Sequence, residues 1–167
     1  MADRKVRWGI HPLVFFHPSH IIRPVLPTFL LVDDNENDAF LVRRAFLKAG
    51  LLNTFCDVRS ADAAKRFLNG EAEFSDRTQY PYPSIVFLDL RMPGVTGLEL
   101  LRWIKRHPQH KHLRVVMLTG TTSPRDQLEA LSSGADGWLS KGSHFEQLVQ
   151  ISTAFGGNVA WVEKPVH

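Results

Sequence analysis

The sequence predicts an α/β fold with a parallel sheet covered on both faces, and two observations predict it. From Thr28 onward, short apolar runs of strand length alternate with longer amphipathic stretches, which is the pattern of strands joined by crossover helices. Several of the runs are apolar at every position rather than at every second one, as expected of strands buried on both faces.

Five runs read as strands: Phe29 to Val32, Phe55 to Val58 (the weakest), Ile85 to Leu88, Val115 to Leu118, and the short Gly137 to Leu139. Five helices fit between and after them. Residues 37–50 set Leu41, Val42, Ala45, Phe46 and Ala49 on one stripe and close with Gly50, a normal helix stop. Residues 60–69 begin with Ser60 as cap and end before Gly70, and residues 97–107, 124–134 and 143–155 repeat the pattern. The last of these puts Phe145, Leu148, Val149 and Ser152 inward.

Composition sets the frame around these elements. A chain of 167 residues with 44% hydrophobic content is one ordinary domain, long enough to bury about two-thirds of its unfolded surface. Cys56 is the single cysteine, which excludes an intramolecular disulfide and a Cys-rich metal site and fits a reducing compartment. No apolar run reaches the roughly 18 to 20 residues of a membrane span, so the expectation is a soluble, cytoplasmic protein. Residues 1–27 carry prolines at 12, 18, 24 and 27 and read as an extension, disordered or loosely packed. The remainder divides into a domain over 28–155 and a tail over 156–167, too short for a DNA-binding or enzymatic output domain.

Charge excludes more than it suggests. Arg4, Lys5, Arg7 and Arg23 face Asp3 alone in residues 1–28, so the other 139 residues hold 16 of the 20 basic and 16 of the 17 acidic groups. A neutral domain offers nucleic acid no basic face. The eight histidines are scattered, with none of the helical spacing of a zinc protease, and read as solvated surface.

The chemistry lies at the strand ends. Asp33 and Asp34 follow the first strand, Asp89 the third, Thr119 the fourth and Lys141 the fifth, and in an open parallel sheet those ends form the ligand-binding edge. Adjacent carboxylates repel unless a cation or donors sit among them. Three carboxylates with no soft ligand favour a hard cation that keeps waters, Mg²⁺. Beside it, an Asp89 oxygen is placed to attack phosphorus, while Lys141 and Thr119 share the phosphoryl charge.

The stretches "LLVDDNENDAFLVRRAF", "VFLDLRMPGVTGLELL", "VVMLTG" and "GADGWLSK" resemble the receiver domain of two-component response regulators, over about residues 28–155. The resemblance implies a flavodoxin-like sheet of order 2-1-3-4-5 and Asp89 as phosphoacceptor. It implies Asp34, Asp89 and the Arg91 carbonyl as Mg²⁺ ligands, Asp33 acting through water, and Thr119 and Lys141 as the phosphoryl-sensing pair. Pro93 and Gly94 would shape the loop after Asp89, and Gly97 would open the third helix. Arg91 and Thr121 stand where the family tunes hydrolysis.

Two positions and one loop depart from the family pattern. Trp138 stands at the aromatic switch position, where Tyr or Phe is usual, and Gly142 replaces the usual proline after Lys141. The loop Gly70 to Pro83 is long, as in stand-alone regulators paired with bacterial phytochromes. The implied donor is a histidine kinase, with phytochrome-type kinases among the candidates, or a histidine phosphotransfer protein. Output then passes to a downstream protein partner, and the face of helix four, strand five and helix five, with Trp138, Ile151 and Trp161, is the expected homodimer surface. The competing reading is an interaction module with a vestigial site. A haloacid-dehalogenase-like phosphatase would need an acid two residues past its nucleophile, where Arg91 stands.

Overall fold

A computed structural model describes residues 28–48, 55–120 and 123–141. Five strands, β1 (Phe29–Val32), β2 (Phe55–Val58), β3 (Ile85–Asp89), β4 (Arg114–Thr119) and β5 (Gly137–Ser140), pair in parallel in the order β2-β1-β3-β4-β5. The sheet is the flavodoxin-like order expected. Register is continuous across it, with Val32 opposite both Val58 and Leu88, and Asp89 opposite Leu118.

Successive strand residues feed two cores. Leu30, Val32, Val86, Leu88, Val115 and Met117 face α2 (Ala61–Asn69), α3 (Gly97–Arg106) and α4 (Pro124–Ser132), meeting Phe67, Leu68, Leu100, Leu101, Ile104 and Ala130. Phe29, Leu31, Ile85, Phe87, Val116, Leu118 and Leu139 face α1 (Glu36–Lys48), where Ala39 and Val42 meet them. Burial on both faces explains the unbroken apolar runs. The weak run is the edge strand β2, half-buried through Asp57, whose carboxylate pairs with Arg43 and Arg59 at 2.9 and 3.0 Å.

Helix starts follow the caps. Asn35 caps α1, its side chain accepting from the Asn37 amide, so the helix begins at Glu36. Ser60 caps α2 as expected, and Gly70 ends it in the left-handed region at φ 72°. Thr96 and Glu99 form a reciprocal capping box on α3, and Ser123 followed by Pro124 opens α4. Helix α3 stops at Arg106 because His107, which precedes Pro108, is extended.

Two expectations fail. Leu41 is 44% exposed rather than inward, with Phe40 and Leu47 also outside: Ala39 and Val42 set the buried stripe, and Leu41 lies about 100° round the helix from Val42. His110 is buried, not solvated, with 2% exposure. Its Nε2 bonds Asn69 Oδ1 at 3.0 Å and its Nδ1 bonds the Tyr82 hydroxyl at 2.9 Å, so burial leaves neither ring nitrogen unpaired. The side chains of Ala45 and Phe46, and Ala49, Gly50, Thr121, Gly142, the fifth helix (143–155), residues 1–27 and the tail lie outside the description.

The long loop from Gly70 to Pro83 is built rather than open. A 3₁₀ turn (Ala72–Phe74) buries Phe74 against Phe67 and Tyr80. The Arg77 guanidinium donates to the carbonyls of Phe67, Leu68 and Tyr80 at 2.8, 2.7 and 3.2 Å, capping the end of α2. Among the described residues no helix is long and apolar enough to cross a membrane.

Candidate functional site

Because all five strands run the same way, their carboxyl ends share one edge, and the expected site residues meet there. Carboxylate oxygens of Asp33, Asp34 and Asp89 lie within 4.8 Å of one another. Asp33 is fully buried, Asp89 is 5% exposed and Asp34 is exposed. Lys141 Nζ stands 2.8 Å from Asp33 Oδ2 and 3.0 Å from Asp89 Oδ1. Thr119 is buried beside them, its backbone carbonyl accepting from the Lys141 amide at 2.7 Å, so β4 fixes where the lysine starts.

The turn after β3 is shaped by close approach. Gly97 opens α3 with its amide on the Leu90 carbonyl at 3.1 Å, and a Cβ there would overlap the Asp89 carbonyl oxygen. Gly94 takes φ 75°, open to glycine without strain. The Arg91 side chain leaves the site and reaches Asp126 on α4 at 3.3 Å, largely in solvent. Trp138 is half-buried and packs against the α2–α3–α4 core.

Charge is out of balance at this edge. Burial raises the Asp89 carboxyl above its ordinary value; Lys141 pulls it down and Asp33 pushes it up again, with the net effect upward. Burial alone would lower the Lys141 ammonium, but the carboxylates of Asp33, Asp38 and Asp89 around it raise it. Asp33 Oδ1 accepts from the Asn35 amide at 2.9 Å, whereas Asp33 Oδ2, equally buried, has an ion pair with Lys141 at 2.8 Å and no hydrogen bond. A buried anionic oxygen that receives no hydrogen bond, within a set of three hard oxygen ligands, fits a divalent cation.

Sequence reasoning missed one member. Asp38, on the first turn of α1, accepts from Lys141 Nζ at 2.9 Å. The signal was an acid in the first turn of the helix that leaves the site, four residues after Asp34.

The response regulator receiver domain family matches residues 29–153. This chain belongs to that family. It is 38% identical over 119 residues to a probable methanogenesis regulatory protein, FilR2, of Methanothrix harundinacea, covering 71% of this chain and 74% of that one. Among solved structures, the bacteriophytochrome response regulator AtBRR superposes with a TM-score of 0.68 at 30% identity, over 84% of this chain and all of that one. The Mn²⁺-bound form of response regulator Rcp1, a protein of Synechocystis, superposes with a TM-score of 0.63 at 28% identity, over 75% and 88% of the two chains. Receiver domains bind such ions at an acidic site, and the Asp33, Asp34 and Asp89 cluster is of that kind.

Proposed function

We propose that this receiver, residues 28–155 between the extension 1–27 and the tail 156–167, accepts a phosphoryl group on Asp89 and signals by phosphorylation-dependent protein contact. The observation that carries the reading is Asp89 itself, a nearly buried carboxylate at a strand end, 3.0 Å from a lysine and within 4.8 Å of two further acids. Asp34, Asp89 and the Arg91 carbonyl would hold Mg²⁺, with Asp33 acting through a water. When bound, the ion neutralises the crowded carboxylates and the phosphoryl oxygens.

An Asp89 oxygen attacks phosphorus, and the P–N bond of a phosphohistidine breaks with its electron pair returning to the imidazole. Lys141 balances charge on one phosphoryl oxygen and the Thr119 hydroxyl donates to another. Water later hydrolyses the acyl phosphate, so the domain catalyses its own transfer and slow dephosphorylation. Movement of Thr119 toward the phosphoryl group opens space for Trp138, the switch residue on β5.

The donor is a histidine kinase or a histidine phosphotransfer protein, and similarity to a bacteriophytochrome response regulator supports a phytochrome-type kinase. The neutral domain and the absence of a spanning helix among the described residues support a cytoplasmic protein working through protein partners, without nucleic acid or membrane. Leu128, 69% exposed, and Leu131, 38% exposed, lie one turn apart on α4, and support partner or homodimer contact through the α4–β5 face and the helix after it. Light scattering checks the dimer: a monomer with and without beryllofluoride removes it.

The decisive experiment is phosphorylation of Asp89→Asn by acetyl phosphate or a histidine kinase in Mg²⁺. The wild type takes up base-labile phosphate and the variant takes up none. Labelling of the variant at the wild-type rate would mean that Asp89 is not the acceptor.

A further inference from the structure

Three acids contact Lys141, and one of them, Asp38, stands outside the cluster of Asp33, Asp34 and Asp89. Asp38 accepts a hydrogen bond from the ammonium at 2.9 Å, with 27% of its side chain exposed. The approaches to Asp33 Oδ2 at 2.8 Å and Asp89 Oδ1 at 3.0 Å are as short, yet Asp33 Oδ2 receives no hydrogen bond. The ammonium is therefore shared between two members of the cluster of Asp33, Asp34 and Asp89 and a hydrogen-bonded acid on α1 that stands outside it.

We infer that Asp38 is a positioning residue: as a tether, it draws the Lys141 ammonium toward the α1 side of the site, so that a divalent cation at Asp33, Asp34 and Asp89 meets a weaker internal competitor. The inference rests on the receiver reading for its metal and deepens it by naming what sets the affinity. An ammonium is a compact charge on a flexible stem with three donors and no preferred fork, so it settles where acceptors are closest. Without Asp38, the nearest acceptors are Asp33 Oδ2 and Asp89 Oδ1, both already in contact. A covalently attached cation then competes with Mg²⁺ at high effective concentration.

Asp38 also contributes a negative charge, which attracts any cation whether or not Lys141 is present. A double-mutant cycle separates the two contributions, because only the tether acts through the lysine. Mg²⁺ is titrated into the full chain and followed by the amide shifts of residues 33–35 and 89. Asp38→Ala is expected to weaken binding roughly tenfold, within the coupling seen between residues in contact, and to weaken it much less in a Lys141→Met background. Equal losses in both backgrounds would reduce Asp38 to a field effect, and no loss in the native background would also overturn the tether. Asp38→Asn, which keeps the shape, takes the place of the alanine variant if that variant melts early. Asp34→Ala is the control on the receiver reading. If it abolishes Mg²⁺ binding while Asp38→Ala does nothing, the tether alone is wrong; if it too does nothing, the metal site is wrong and the tether falls with it.

Discussion

The two ends of the sheet treat buried polar groups in opposite ways. At the end where α2 and α3 finish, Arg77 spends its guanidinium on three backbone carbonyls and His110 pairs both ring nitrogens. At the carboxyl end, one ammonium serves three carboxylates, and a buried Asp33 oxygen has no hydrogen bond. Satisfied polar groups lower the energy of the fold; unsatisfied ones hold a demand that a ligand can meet. The difference predicts that mutations at the first end cost stability without chemistry, and that ligands stabilise through the second end alone.

The largest effect expected is steric and lies at the ligand end. Gly97→Ala places a methyl group against the Asp89 carbonyl, a backbone atom that cannot turn aside. Overpacking of this kind costs about 3 kcal/mol, and the shift it forces is in the residue that carries the chemistry. Denaturant unfolding should show the loss and acetyl phosphate labelling should fall with it. A variant of wild-type stability would mean that the β3–α3 turn is looser than its contacts indicate.

Next in size is the response to ligand. Mg²⁺ with beryllofluoride, standing in for the phosphoryl group, should stabilise the fold by about 2.7 kcal/mol at a hundredfold excess over the dissociation constant. Asp89→Asn should abolish that gain and, by deleting one of the three crowded charges, melt higher than wild type without ligand. Thermal unfolding with and without the analogue checks both statements.

Arg77→Ala sharpens the contrast from the other end. It strips three acceptors of a charged donor, and bonds to charged groups place the cost at about 2 kcal/mol. Gly70 belongs to the same arrangement: its left-handed φ ends α2, and a Cβ there would strike the Arg77 guanidinium. Labelling of folded Arg77→Ala should match wild type, and the beryllofluoride shift should survive. Loss of either would join the two ends that the structure keeps apart.

This contrast also explains what could be read from the sequence. The strands were legible because burial on both faces makes Phe29 to Val32 and Ile85 to Leu88 apolar throughout, and the site followed because parallel strands must bring Asp33, Asp34, Asp89, Thr119 and Lys141 to one edge. Leu41 was misassigned because α1 carries more apolar residues than its buried stripe uses. Asp38 escaped notice because its partner lies 103 residues away. His110 was hidden for the same reason, with Asn69 and Tyr82 at separations of 41 and 28 residues. A pairing between loops leaves no periodicity, whereas a strand end leaves one.

His110 supplies the smallest effect and the test of the satisfied end. Asn69 Oδ1 can only accept, so Nε2 carries a proton, and in the neutral ring that burial favours Nδ1 accepts from the Tyr82 hydroxyl. Burial first, then the stacked His107 and the nearby Arg77, hold its pKa below the ordinary histidine value. Since the folded value lies below the unfolded one, the unfolded chain takes up the proton first on acidification. The contribution is therefore whole above about pH 6.5, where unfolded histidine is neutral, and is lost as the pH falls through the folded value. Melting temperatures should fall less between pH 7 and pH 5 in His110→Gln than in wild type, and the His110 ring should titrate below the ordinary histidine value. An equal fall in both proteins would place the charge sensitivity elsewhere, and would remove His110 from the account of what stabilises that end of the sheet.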